Sequence, residues 1–172
     1  TNEDGNTNES KTETSDINIL QVELNTIAAS FGCLSTKVSQ MHQYLRTKAQ
    51  LLDSTTTTNN DELPENNATA GLANAIHAAH EHYKTQRSTK STIEPVVLFV
   101  VQDGETNTVD QRLFEFELTS KHGVAVMRRS LTSLSAATCA SLSNDAECPL
   151  LMVEEREISV VYYRAGYTPR DY

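Results

Sequence analysis

The residue types best suited to chemistry fall in three short runs of this chain. In the first, Gln21–Gly32 (QVELNTIAASFG), Glu23 and Asn25 stand two positions apart. On a β-strand such residues share a face, about 6.6 Å from one another. A carboxylate oxygen beside an amide oxygen is the hard, all-oxygen donor set that suits Mg²⁺. The same spacing also describes the polar face of an ordinary half-buried strand, and spacing alone leaves both readings open. The second run places Glu105, Thr106 and Asn107 just after a strongly apolar segment, with Gln111 a helical turn further on. The third, Arg164-Ala165-Gly166-Tyr167, follows another apolar run, and arginine offers a rigid fork of donors that matches a carboxylate. Taken bare, Glu105–Asn107 is also a plain polar turn, and Asp110–Gln111 a helix start satisfying its own first-turn amides. Arg164 is likewise a surface arginine beside a turn glycine. A histidine cluster, His77, His80 and His82, fits neither zinc-helix motif, because Ala78 and Lys84 occupy positions those motifs need. It reads as a solvated helix face.

These runs need elements to hold them. Ile17–Leu24 reads as a strand, and Ser35–Leu52 as an amphipathic helix with Val38, Met41, Leu45 and Leu52 on one stripe. Asp53–Asn67 is low-complexity and contains Pro64, so it is expected to be a long loop. Helical period returns over Ala68–Gln86 through Leu72, Ile76, Ala79 and Tyr83. Beyond a boundary expected near residues 87–94, Val96–Val101 (VVLFVV) is continuously apolar, as for a strand covered on both faces of a parallel sheet. Val109–His122 is a helix with a basic end capped by Gly123. Val124–Met127 begins the next strand, completing a βαβ unit. Leu131–Glu155 is rich in Ser and Ala and ambiguous; Ile158–Tyr163 is a further buried strand.

The 172 residues carry a formal charge of −9. Five acids against Lys11 give Thr1–Asp16 a net −4, and this polar stretch cannot bury a core. An acidic chain lacks the basic stripe that nucleic acid requires. No run approaches the roughly 20 apolar residues of a membrane span. Cys33, Cys139 and Cys148 have no metal-ligand spacing, and an odd count suits reduced thiols of a cytoplasmic protein.

The three runs, as QVELNTIAASFG, DGETNTVDQRLFEFEL and VVYYRAGYTPRDY, occur in the order found in eukaryotic-type glutathione synthetase. Weaker matches, ATAGLANAIHAAHEHY and HGVAVMRRS, fall between them, and the chain resembles that family. The resemblance implies an α/β fold. Residues 91–172 would be a Rossmann-like, parallel-sheet substrate-binding domain, truncated at its C-terminal end. Residues 17–90 would be an incomplete α+β pre-ATP-grasp/ATP-grasp portion, and residues 1–16 a disordered acidic arm or insertion. It further implies an internal piece of an ATP- and Mg²⁺-dependent ligase that joins glycine to γ-glutamylcysteine through an acyl phosphate. By the same resemblance Glu23 and Asn25 match the metal pair, with Glu23 also near ATP. Ile27, Ala28, Ala29 and Ser30 match a loop contacting γ-glutamylcysteine, with alanine at 28 where many relatives have serine. Small side chains there let ligand atoms approach backbone amides. Glu105, Thr106, Asn107 and Gln111, and then Arg164, Ala165, Gly166 and Tyr167, match the remainder of that pocket. No catalytic residue is assigned. The sequence has no glycine-rich phosphate loop or lysine pair to clamp ATP, so this piece alone is expected to be inactive; the full-length enzyme is expected to be a homodimer. Two further readings use the same pocket: a non-catalytic module binding a small peptide or amino acid, and one subunit of a split ligase.

Overall fold

The computed structural model describes residues 20–24, 30–52, 63–87, 93–136, 140–143 and 149–169. In chain order the elements are α1 (Gly32–Leu52), α2 (Ala68–Gln86), β1 (Val96–Val101), α3 (Thr108–His122), β2 (Val126–Ser130), α4 (Leu131–Leu134), β3 (Ala140–Leu142), β4 (Leu151–Val153) and β5 (Arg156–Tyr163). They form a mixed α/β fold on one five-stranded sheet of order β2-β1-β5-β4-β3.

The apolar run β1 lies at the centre of the parallel part, paired with β2 on one side and β5 on the other. Its side chains alternate between two cores, which is why all of them are apolar. Val97 and Phe99 join Cys33, Ala73, Phe114, Leu118 and Val124 under α1, α2 and α3. Val96, Leu98 and Val100 face Val153, Ile158 and Ala165 on the opposite side. Residues on both sides of 87–94 thus contribute to one core. Phe99, Phe114 and Tyr162 pack as three mutually tilted rings, with centroids 5.0–5.4 Å apart, a geometry that the ring quadrupoles favour. The glycine stop of α3 is as the sequence predicts: Gly123 has φ 67° and its N–H reaches the carbonyls of Leu118 and Thr119. The ambiguous stretch supplies α4, β3 and β4, and an antiparallel β3-β4-β5 meander extends the sheet.

Three expectations are corrected. Leu20–Leu24 is not a strand; its apolar side chains are exposed, Val22 by 94%. A strand needs a ladder partner, and these residues belong to no ladder of the sheet. The apolar stripe of α1 is left uncovered among the described residues, with Val38, Met41 and Leu45 each 48% exposed; the N-terminal turn carries the packing, through Cys33. On α2 the buried line runs through Ala73, Ile76, His80 and Tyr83 instead of Leu72 and Ala79. That turn of the helix takes the histidines off the solvated face. His80 is buried, His77 stacks on His122 at 4.4 Å, and only His82 of the cluster is exposed. No helix among the described residues is long and apolar enough to cross a membrane.

Candidate functional site

Because β2, β1 and β5 run parallel with Val101 opposite Ser130 and Val100 opposite Tyr163, their loops leave the sheet along one edge. In open α/β sheets that carboxyl edge is where ligands gather. The loop after β1 carries Glu105, Thr106 and Asn107; the loop after β5 carries Arg164–Tyr167, pinned by the Arg164 N–H donating to the Val100 carbonyl at 2.7 Å.

One carboxylate gathers these loops. Asp110, in the first turn of α3, accepts the backbone N–H of Leu34 at 2.9 Å and of Phe31 at 3.0 Å. Those are orphan donors at the start of α1, so Asp110 caps a helix 76 residues away in sequence and not its own. Its charge also lies where the helix dipole favours an anion. The Arg164 guanidinium donates to the same carboxylate at 2.9 Å, and the two side chains are 4% and 5% exposed. Phe31 reaches this arrangement with φ 66°, a left-handed conformation that costs energy for a bulky residue. Burial would raise the Asp110 pKa, but the bonds from Leu34, Arg164 and Phe31 outweigh it and hold the carboxyl below its ordinary value. Burial likewise opposes the Arg164 charge, and Asp110 and Tyr162 overcome it.

Beside this node, Glu105 Oε1 accepts the Asn107 N–H at 2.7 Å and Oε2 accepts from Gln111 Nε2 at 3.2 Å. Gln111 is 1% exposed. A cavity of about 490 Å³ is lined by Ser30, Gly32, Cys33, Asp110, Phe114 and Tyr162, joining all three runs. A second, of about 570 Å³, lies along the same edge against Gln102, Asp103, Thr132 and Thr168.

Of the residues expected from sequence, Ser30, Glu105, Asn107, Gln111 and Arg164 come together around α3. Thr106 is exposed, Ala165 is buried in the second core, Gly166 has φ 101°, and Tyr167 is 55% exposed. Glu23 is exposed in a stretch without regular structure. Asn25, Ile27, Ala28 and Ala29 lie outside the described residues. Among the described residues no group of three His, Cys, Asp or Glu could hold a metal. Sequence reasoning missed Asp110 and Tyr162. An aspartate in a first helical turn is ordinary, and nothing in its neighbours reveals that its partners are distant.

Two family profiles match: "Eukaryotic glutathione synthase, ATP binding domain" over residues 6–133 and "Eukaryotic glutathione synthase" over residues 95–172. The glutathione synthetase of Dictyostelium discoideum is 38% identical over 162 residues, which is 94% of this chain and 32% of that protein. That of Homo sapiens is 35% identical over 152 residues, 88% of this chain and 28% of that one. The chain therefore spans about a third of its relatives' length. Among solved structures, a glutathione synthetase-like effector from Globodera pallida in its apo form superposes with a TM-score of 0.63 at 18% identity, over 86% of this chain and 32% of that one. That likeness concerns the fold alone. With one profile covering most of its residues and a second covering the remainder of its C-terminal part, this chain belongs to the eukaryotic glutathione synthase family.

Proposed function

We propose that this chain carries the γ-glutamylcysteine pocket of a glutathione synthase, an ATP-dependent ligase that joins glycine to the dipeptide through an acyl phosphate. Residues 91–172 act as the Rossmann-like substrate-binding domain, and residues 17–90 belong to the ATP-grasp portion. The observation that supports this best is the Asp110 node: one buried carboxylate ties together the three runs that the family resemblance singles out. Such a node holds the pocket loops in fixed relation, the positioning that an acyl transfer needs most. Glu105 offers a carboxylate to the dipeptide ammonium, and Asn107 and Gln111 offer amides to its carboxylate and peptide groups. Arg164 keeps a positive charge buried against Asp110, next to the pocket loops, where it would favour an anionic group of the dipeptide. The exposed Glu23 carboxylate, with Asn25, is the oxygen donor set that would hold Mg²⁺. When bound, that ion neutralises phosphate charge.

Calorimetric titration of γ-glutamylcysteine into the purified protein tests the reading. Saturable binding is expected, weakened on the order of tenfold by Arg164→Lys, which keeps the charge and loses the fork. Absence of binding, or equal binding by the Lys variant, would overturn the pocket assignment.

A further inference from the structure

Arg128 stands on β2 opposite Phe99 of β1, and its side chain is 15% exposed. Its Nη2 donates to Gln111 Oε1. Nη1 is buried without a hydrogen-bond partner and reaches the Glu115 carboxylate only at 3.8 Å. An amide side chain can be turned two ways, presenting oxygen or nitrogen to a given neighbour. Arginine has donors only, so it admits one of the two: Oε1 faces Arg128. The Gln111 Nε2 is thereby directed to Glu105 Oε2. Glu105 Oε1 is in turn held by the Asn107 N–H. A line of directed hydrogen bonds therefore runs from β2, through α3, to the loop after β1, and each link sets the orientation of the next.

We infer that Arg128 is a positioning residue for the dipeptide site: it fixes which way Gln111 points and, through Gln111, how the Glu105 carboxylate is presented. This rests on the proposed reading of Glu105, Asn107 and Gln111 as dipeptide contacts. Arg128 itself touches no ligand. Without it the Gln111 oxygen is buried and unsatisfied, the amide turns to find a donor, and Glu105 loses one of its two anchors.

Four variants, Arg128→Met, Arg128→Lys, Gln111→Met and the double Arg128→Met/Gln111→Met, separate this role from simple bracing of β2 against α3. γ-Glutamylcysteine affinity is measured by calorimetry and stability by thermal unfolding. Arg128→Met should weaken the dipeptide about tenfold, in keeping with losses seen when groups that orient a ligand-binding residue are removed. Arg128→Lys keeps a donor for Oε1 and should lose about threefold. Gln111→Met should lose at least as much as Arg128→Met, and the double variant should bind within about twofold of Gln111→Met, because both changes cut the same line. Glu115→Gln, which faces the other side of the guanidinium, should leave affinity within about twofold. A lowered melting temperature with unchanged affinity for Arg128→Met, or additive losses in the double variant, would overturn the inference. Should Arg128→Met not fold, unchanged affinity in Arg128→Lys overturns it instead. Weakening by Gln111→Met without weakening by Arg128→Met sinks this inference alone; no effect from either sinks the pocket reading as well.

Discussion

The two ends of the parallel strands both bury charged and polar side chains, and they do different things with them. At the carboxyl edge, Asp110 and Arg164 join α1, α3 and the loop after β5. At the opposite edge, Glu157 and Ser159 of β5 take their partners from α2 and its C-terminal cap: Tyr83 donates to Glu157 at 2.9 Å, Arg87 donates to it at 3.2 Å, and His80 Nδ1 meets Ser159 Oγ at 2.7 Å. Glu157 is 1% exposed, more hidden than Asp110 at 3%. Depth of burial therefore does not mark the site. What distinguishes Asp110 is that its partners lie at the start of α1 and in the loop after β5, and that it shares a cavity with Ser30 of the first run and Tyr162 of the third. The far end is a seam between one helix and one strand.

The largest effect should come from breaking the node. Asp110→Ala leaves the Arg164 charge buried without its carboxylate, a loss of about 3–5 kcal/mol, and it strips the cap from α1. A fall in melting temperature of roughly 6–20 °C follows for a chain of this size, together with loss of γ-glutamylcysteine binding. A variant that unfolds earlier yet binds normally would make the node as purely structural as the far seam.

Much of this arrangement is legible in the sequence. The continuous apolar run of β1, the extent of α2 and the glycine stop of α3 follow from period and capping chemistry. So does the convergence of two runs at one edge, since each directly follows a strand of a parallel pair. The rest depends on partners far away in the chain. Asp110 sits in a helical first turn, and its amide donors are 76 and 79 residues upstream. His80 is buried because α2 is rotated to put Ala73 against the sheet, a choice made by the neighbouring helices and invisible in a helix whose faces differ little in polarity. Leu20–Leu24 has strand composition, but composition does not supply a ladder partner.

The far seam offers the complementary variant. Glu157→Gln removes the charge that Arg87 meets, keeps the shape, and should cost about 1.5–3 kcal/mol, the range for a hydrogen bond to a charged group. Dipeptide affinity should not move. A matching fall in affinity would mean that the whole sheet, and not the carboxyl edge, determines the pocket.

The two ends should also lose stability at different pH. Ser159 Oγ donates to the Val96 carbonyl at 3.1 Å, so His80 Nδ1 carries the proton in its own bond to that hydroxyl and Nε2 is bare. Burial lowers the His80 pKa, helped by Lys84 and His77 and opposed by Glu81 and Glu94. A lowered folded pKa means that the unfolded chain takes up the proton first. Stability is then full above the ordinary histidine value of about 6.5 and is lost as pH falls below it toward the folded value. Asp110, also lowered, contributes stability above the ordinary aspartate value of about 3.9, lost as pH falls through its folded value. Thermal unfolding from pH 8 to 3 should show the His80 loss first, removed by His80→Gln, and the Asp110 loss only under the more acid conditions. If His80→Gln leaves the upper step in place, another group titrates there.

The smallest effect belongs to the residue next to Arg128. Arg129 points to the other face of β2, where Nε donates to Glu154 Oε1 at 2.7 Å and Nη2 to the second oxygen of the same carboxylate. The fork is well formed, but the pair is 31% and 46% exposed, and water and salt screen it. Arg129→Ala should cost under about 1 kcal/mol, less still at high salt, with γ-glutamylcysteine affinity unchanged. The adjacent arginines therefore make a matched pair on one strand, one directed into the line that ends at Glu105 and one tied to a surface turn. If Arg129→Ala weakens the dipeptide as much as Arg128→Met does, the pocket responds to the β2 edge as a whole, and the directed hydrogen bonds through Gln111 are not what orients it.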